Sequence, residues 1–225
     1  MSQLPACAIC GSAARAPFRP PPAELAPDLD GRPGEPTRST LPQWVATCRR
    51  CGASGPDLSK LPDGTGNVVR SEAYQALRSS GPEQAALRWA CVCEVLGHRA
   101  EAAEAVLQAA WALDDAGQDA TALRRRAVVL WGEPASTEDA LRLLDLQRRA
   151  GDFEAALARA DALDGVAQDE NTAAILAFQR ARIADGDTGR HMISSALRPP
   201  ARRPHVTHGT AAPTAGGFWR RLFGG

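Results

Sequence analysis

The stretch CAICG at residues 7–11 is matched in kind by CRRCG at residues 48–52, and the two decide how the N-terminal third folds. Each is a Cys-x-x-Cys turn followed by glycine, the pattern of a zinc knuckle. The spacing lets both thiolates reach one ion, and the glycine lets the backbone turn so that amides point at sulfur. Two knuckles close a tetrahedral site, which predicts one structural Zn²⁺ per chain. The predicted ligands are Cys7, Cys10, Cys48 and Cys51.

The segment around these knuckles, residues 1–66, is rich in proline and glycine and poor in apolar runs. Because the segment has too little apolar surface to fold by burial alone, it needs an additional cross-link such as a bound metal ion. Residues 43–48, QWVATC, predict a β-strand that leads into the second knuckle. We therefore predict a zinc ribbon over residues 1–66 with a long insert, where Asp28 and Asp30 are turn residues. Such an insert is tolerated because the cost of loop closure grows only logarithmically with length.

A thiol-redox protein or sensor is an open alternative for the cysteine pairs. It would use Cys7 with Cys10, or Cys48 with Cys51. Redox motifs of this spacing normally open a helix in a βαβ unit, and neither pair does so. Four thiolates around one ion leave no open coordination position, which disfavours catalytic zinc.

The charge balance bears on possible partners. The chain has 26 basic and 26 acidic residues, whereas proteins that neutralise many phosphates usually carry a basic excess. Nucleic acid is thus disfavoured as a partner, and a nucleic-acid-associated ribbon that uses Arg49 and Arg50 is kept as an alternative. The sequence contains no signal-peptide pattern and no apolar run approaching about 20 residues, so we expect a cytoplasmic protein.

From residue 67 to residue 197, apolar residues recur at helical spacing and proline becomes rare. Only 5% of the residues are aromatic, while alanine and leucine are abundant, which favours tightly packed helices. Short loops predict that successive helices pack antiparallel. The predicted fold is therefore mainly α, a small β zinc ribbon followed by helical hairpins. Helices are predicted over 69–79, 82–96, 99–115, 119–131, 137–149, 152–163 and 168–184.

Two groups inside these helices carry chemistry-bearing side chains. Cys91 and Cys93 stand two residues apart on one helix, so their side chains point away from each other. They are predicted to pack as small apolar residues instead of sharing a metal. The arginine triplet at 124–126 is predicted to lie on a solvated helix face.

Two helical hairpins resemble tetratricopeptide repeats. The matching positions are Trp89, Ala90, Gly97, Ala102 and Ala109 in the first, and Gly151, Phe153 and Ala156 in the second. The turn glycines lie 54 residues apart instead of about 34, so residues 118–136 are an insertion or a degenerate helix. With CAICG, PQWVATCRRCG and AAWALDDAG, the whole chain resembles an uncharacterised bacterial family of zinc ribbons followed by tetratricopeptide-like helices. The resemblance implies an architecture and no reaction.

The last segment, residues 198–225, lacks periodicity and is predicted to be disordered. It ends in an aromatic–basic motif composed of Phe218, Trp219, Arg220, Arg221, Leu222 and Phe223. Bulky apolar residues are costly to leave in water, so the motif is a candidate partner-binding segment. It would dock in a partner's groove or in this protein's own helical groove, or associate weakly with an anionic membrane.

The sequence contains no catalytic constellation, because neither a nucleophile elbow nor a phosphate-binding loop is present. We therefore expect a non-catalytic, zinc-binding adaptor. It would bind a protein or peptide partner through the groove of its stacked helices, with zinc holding the ribbon in shape.

Overall fold

The computed structural model describes residues 5–77, 81–165 and 169–197, and it confirms a mainly helical fold with one small two-stranded antiparallel sheet. The strands are β1 (Ala46–Thr47) and β2 (Ser54–Gly55). The helices are α1 (Thr65–Arg70), α2 (Glu72–Ala76), α3 (Gln84–Val95), α4 (Arg99–Asp115), α5 (Thr121–Trp131), α6 (Thr137–Arg149), α7 (Phe153–Leu163), α8 (Glu170–Ala184) and α9 (Ile193–Ala196). A 3₁₀ turn over Arg38–Gln43 precedes β1.

The predicted helices from residue 82 onward agree with α3–α8 to within two residues at each end. The single helix predicted over 69–79 is wrong, because the chain leaves helical geometry at Ser71, where ψ is 150°. There the Ser71 hydroxyl accepts a hydrogen bond from the Tyr74 amide and starts a new helix, which competes with continuing the old one. The strand predicted over 43–48 is shorter than expected, because the 3₁₀ turn extends to Gln43.

Four of the helices end in the same way. A glycine with positive φ follows each, and the next amide bonds to the carbonyl five residues back, which is a Schellman motif. The pairs are His98 with Cys93, Gln118 with Leu113, Asp152 with Gln147, and Asp187 with Arg182. This shared ending explains why the turn glycines Gly97 and Gly151 fall at the breaks between α3 and α4, and between α6 and α7.

The described residues form three apolar clusters. One lies among α3, α4 and α5 around Leu107 and Trp111, and another joins α6–α9 to Leu29 of the insert. The third joins the two knuckles to α1–α3, with Cys7 and Cys48 packed against the same core as Val92. The cysteine-bearing segment and the first three helices therefore share one interior.

Part of the polar insert is buried. Residues 28–34, DLDGRPG, are all buried, and the Asp28 amide donates to the Arg32 carbonyl in the predicted turn. The Arg32 guanidinium binds both carboxylate oxygens of Asp115 at 2.9 and 2.5 Å. Asp30, fully buried, accepts from the Trp111 indole at 3.0 Å and from Arg149. The insert is thereby tied to the end of α4 and to α6.

The prediction that the arginine triplet lies on a solvated face is wrong for Arg124, which is 4% exposed and pairs with Asp114. Arg125 pairs with Asp152 at the start of α7, and Arg126 with the α3 residue Glu94. Successive helical side chains point about 100° apart, so one triplet reaches three neighbouring segments. Runs of like charge in a sequence do not reveal these directions.

Candidate metal centre

Four cysteine sulfurs converge at one point, between the two knuckles. The Sγ atoms of Cys7 and Cys51 lie 3.8 Å apart, those of Cys10 and Cys48 lie 3.7 Å apart, and all four fall within 4.8 Å of one another. A tetrahedral ion with sulfur ligands at about 2.3 Å requires an edge of about 3.8 Å between sulfurs. A disulfide requires about 2.05 Å. The spacing therefore fits a bound metal ion, and all four thiols are free of disulfides.

The two knuckles are built by the same backbone hydrogen bonds. The Cys7 amide donates to the Ser12 carbonyl at 2.8 Å, and the Gly11 amide donates back to the Cys7 carbonyl at 2.9 Å. In the second knuckle Cys48 with Ala53, and Gly52 with Cys48, repeat these bonds at 2.8 and 2.9 Å. This shared turn presents the two cysteines of each pair on the same side.

Glycine is required after each cysteine pair by its backbone conformation. Gly11 has φ of 68° and Gly52 has φ of 77°, a region that L side chains rarely adopt. A Cβ atom at either position would meet nothing within 4 Å, so space is not the constraint.

The centre favours deprotonated sulfur at Cys48. Burial acts to raise the pKa of this thiol, but hydrogen bonds from the Cys51 amide and the Ser12 hydroxyl outweigh it and lower the pKa to about 6. Hydrogen bonding to Ser12 likewise lowers the pKa of Cys10. Burial and the neighbouring thiols raise the pKa of Cys51 to about 12. A cation is the natural means of holding all four as thiolates, because the uncompensated charges would repel.

Ser12 is a residue of the centre that the cysteine pattern did not reveal. Its Oγ lies 3.1 Å from the sulfur of Cys10 and 3.5 Å from that of Cys48, so it bridges one cysteine from each knuckle. Hydrogen bonds of this kind orient metal ligands and tune their charge. Its position directly after Gly11 is the one signal that sequence offers.

Tyr74 of α2 is hydrogen-bonded to the second knuckle. Its hydroxyl accepts from the Ser54 amide at 3.0 Å and donates to the Gly52 carbonyl at 2.8 Å. The side chain is 1% exposed, and the Arg88 guanidinium lies 5.5 Å from the ring centroid. This contact joins the metal centre to the helices, and nothing in the local sequence around Tyr74 indicates it.

The centre is closed on its inner side. Cys7 and Cys48 are buried, while Cys10 and Cys51 are half-buried. Arg49 and Arg50 at the tip of the second knuckle are exposed. Within residues 5–77, 81–165 and 169–197, the four cysteines are the one group of three or more metal-type side chains close enough to share an ion.

The other two cysteines, Cys91 and Cys93, do not join the centre. Both are buried on α3, where Cys91 packs in the knuckle cluster and Cys93 packs toward α4. Burial raises the pKa of the Cys93 thiol to about 12. This confirms the prediction that they pack as apolar residues on opposite sides of the helix.

A groove lies beside α4, formed by two adjoining hollows of about 260 and 520 Å³. They share Trp89 of α3 and Glu101 of α4. The smaller hollow reaches Leu61 next to the knuckle core, and the larger reaches Trp131 and Asp139.

The predicted partner-binding residues Phe218–Phe223 lie outside the described residues. No helix in the described part of the chain combines the length and apolarity needed to cross a bilayer.

No protein-family model matches the chain, and comparisons with curated proteins and with solved structures also return no match. The resemblance to a bacterial family of zinc-ribbon and tetratricopeptide-like proteins therefore stays a prediction. The structure supports its coarser content, which is a cluster of four cysteines followed by a helical region.

Proposed function

We propose that the chain is a non-catalytic adaptor in which one structural Zn²⁺ holds the N-terminal knuckles on the helices, and a groove of the helical region binds a protein or peptide segment. The observation that carries the metal assignment is the pair of sulfur separations of 3.8 and 3.7 Å, the edge length of a tetrahedral zinc–thiolate site. Four soft thiolate ligands favour zinc over magnesium or calcium, which take oxygen ligands.

The zinc would act on shape and carry out no reaction. Cys7, Cys10, Cys48 and Cys51 would fill all its coordination positions, so no site is left for substrate. Its effect reaches the groove because the Ala8 amide, inside the first knuckle, donates to the Leu58 carbonyl at 2.8 Å. Leu58 and Leu61 are buried in the same cluster as the knuckles. Loss of zinc would therefore loosen one wall of the groove.

The helical packing supports the adaptor role. The alanines at the tetratricopeptide-like positions, Ala90, Ala102, Ala109 and Ala156, are all fully buried, which lets neighbouring helices approach closely. Helical hairpins that stack in this way present extended grooves, and such grooves receive peptide segments. Trp89 and Trp131 in the groove are only partly buried, and tryptophan is enriched where proteins bind one another.

A random-peptide display selection against the immobilised, zinc-loaded chain tests the adaptor role without knowledge of the partner. We expect enrichment of one sequence class whose binding is lost in Glu101→Arg. The matched control is Glu154→Arg, which makes the same charge change at an exposed first-turn glutamate of α7, away from the groove. An enriched class that binds both variants equally well would contradict the groove as the binding surface.

A further inference from the structure

We propose that the groove is occupied in the resting chain by the chain's own C-terminal motif, Phe218–Phe223, which a partner must displace. This inference rests on the proposed function of the groove. It assigns a ligand to the groove, the chain's own motif, and it makes partner binding depend on displacing that motif.

Charge is divided unequally between the two parts of the chain. Residues 198–225 contain five arginines and no acidic residue, although the chain as a whole has 26 of each sign. Residues 1–197 therefore hold 21 basic and 26 acidic residues, an excess of five negative charges. The basic segment is thus complementary to the remainder of the chain.

The groove concentrates part of that negative charge. Its lining includes four carboxylates and one lysine, Lys60. The carboxylates belong to Asp57, Glu101, Glu104 and Asp139. Glu101 is exposed and forms no ion pair with any residue in the described ranges. An unpaired carboxylate beside an apolar wall is where an arginine of the motif would bind.

The two tryptophans of the groove are in different states. The guanidinium of Arg142 lies over the Trp131 ring, 4.5 Å from its centroid, and also binds Glu104. Trp89 lines the same hollows as the carboxylate of Glu101, but no guanidinium from the described residues lies over its ring. An arginine of the motif placed between Trp89 and Glu101 would reproduce the arrangement already present at Trp131.

The apolar residues of the motif also fit. Leu61, Pro56 and Pro62 line the smaller hollow with Trp89, and its volume of about 260 Å³ suits an aromatic side chain. In the motif, aromatic residues stand directly before and shortly after the arginine pair. A segment of this composition would bury its rings in the hollows while its arginines meet the carboxylates.

The chain is long enough to bring the motif to the groove. Twenty residues, 198–217, separate Leu197 from Phe218, and 21 extended steps reach about 70 Å. A folded body of about 190 residues has a radius of gyration of only about 16 Å. The start of this segment is also connected to the groove. The Ile193 amide of α9 donates to the Pro27 carbonyl. Three residues after Pro27, the Asp30 carbonyl accepts from Arg142, whose guanidinium lies over Trp131 of the groove.

Tethering makes weak binding sufficient. A linker of this length holds the motif at an effective concentration on the order of 1 mM. A segment that binds from solution with a Kd of about 20 µM would then occupy the groove most of the time. It would weaken the binding of any competing peptide by about 50-fold.

Fluorescence anisotropy with a labelled peptide of residues 216–225 tests the proposal on the zinc-loaded full chain. The variant Arg220→Ser/Arg221→Ser weakens the tethered motif, and Arg202→Ser/Arg203→Ser removes the same charge outside it. We expect the first variant to bind the peptide about 50-fold more tightly than wild type, and the second to behave as wild type. Adding Glu101→Arg to the first variant should abolish binding, and adding Glu154→Arg should not.

Three results would overturn the proposal. Equal, Glu101-dependent binding to wild type and to Arg220→Ser/Arg221→Ser would show an open groove, which leaves the proposed function intact. No peptide binding to either chain would remove the motif as a ligand, and the display selection alone would then test the groove. A dimer that dissociates on dilution, and is lost in Arg220→Ser/Arg221→Ser, would assign the motif to a second copy.

Discussion

Tyr74→Phe removes one oxygen atom and tests how the helices support the metal centre. The Tyr74 hydroxyl is the hydrogen-bond partner of the Ser54 amide, and Ser54 and Tyr74 are 0% and 1% exposed. Without it, the buried amide loses its acceptor at a cost of about 1–3 kcal/mol. Gly52 is only half-buried, so we expect water to replace the lost hydrogen bond at its carbonyl at little cost. We therefore expect a loss of about 2 kcal/mol in the free energy of unfolding, with no cavity.

The assay has two readouts. Urea denaturation of the zinc-loaded chain, followed by circular dichroism, gives the change in unfolding free energy. Competition with a chromogenic chelator gives the rate of zinc release, which should rise in Tyr74→Phe. The control is Ile175→Val in the α6–α9 cluster, which costs about 0.5–1.5 kcal/mol and should leave zinc release unchanged.

Two results would refute this reasoning. A change of less than about 0.5 kcal/mol in the free energy of unfolding of Tyr74→Phe would mean that the hydrogen bonds of the hydroxyl do not stabilise the fold. Equal acceleration of zinc release in Tyr74→Phe and Ile175→Val would mean that the metal responds to global stability and not to this contact.

Three further predictions concern the buried insert, the backbone of the second knuckle and the metal ligands. Asp30→Asn should cost about 2–3 kcal/mol at pH 7, because it leaves the buried Arg149 with one carboxylate partner, Asp114, instead of two. Burial acts to raise the pKa of Asp30, but Arg149 and the Trp111 hydrogen bond outweigh it and lower the pKa below its usual value. The stabilisation that Asp30 contributes is therefore present above about pH 4 and is lost as the pH falls further. The unfolding free energies of wild type and variant, measured with urea, should converge only in strong acid. Gly52→Ala should cost about 1–2 kcal/mol by urea unfolding through its positive φ, whereas Gly165→Ala should be neutral. Zinc affinity, measured by chelator competition, should fall at least tenfold from pH 7 to pH 5, as protons compete for thiols such as Cys48; a flat profile would contradict thiolate ligation.

The parts of the fold that sequence predicted are those with local signals. The cysteine spacing indicated which four sulfurs meet, because each knuckle is a turn closed by its own backbone bonds. The turn glycines Gly97 and Gly151 fall at helix ends because the Schellman motif needs a positive φ at one position. The break at Ser71 was missed because a capping serine resembles any other serine inside an apolar pattern.

The parts that were missed depend on partners distant in sequence. Residues 28–34 look like a solvated loop, and their burial depends on Asp115, Arg149 and Trp111, which lie far along the chain. Tyr74 reaches the second knuckle from a separate helix, and Arg124 finds Asp114 on the preceding one. Polar residues of this kind can be buried only when their specific partners are present, and a local pattern does not contain that information.

The most direct test is the metal content of the chain purified under reducing conditions without added metal, measured by elemental analysis for wild type and Cys48→Ser. The proposal predicts about one zinc per chain in wild type, with zinc lost in the variant together with the stability of the knuckles. Wild-type protein that contains no zinc and has four reactive thiols in the cluster would contradict a zinc-stapled fold.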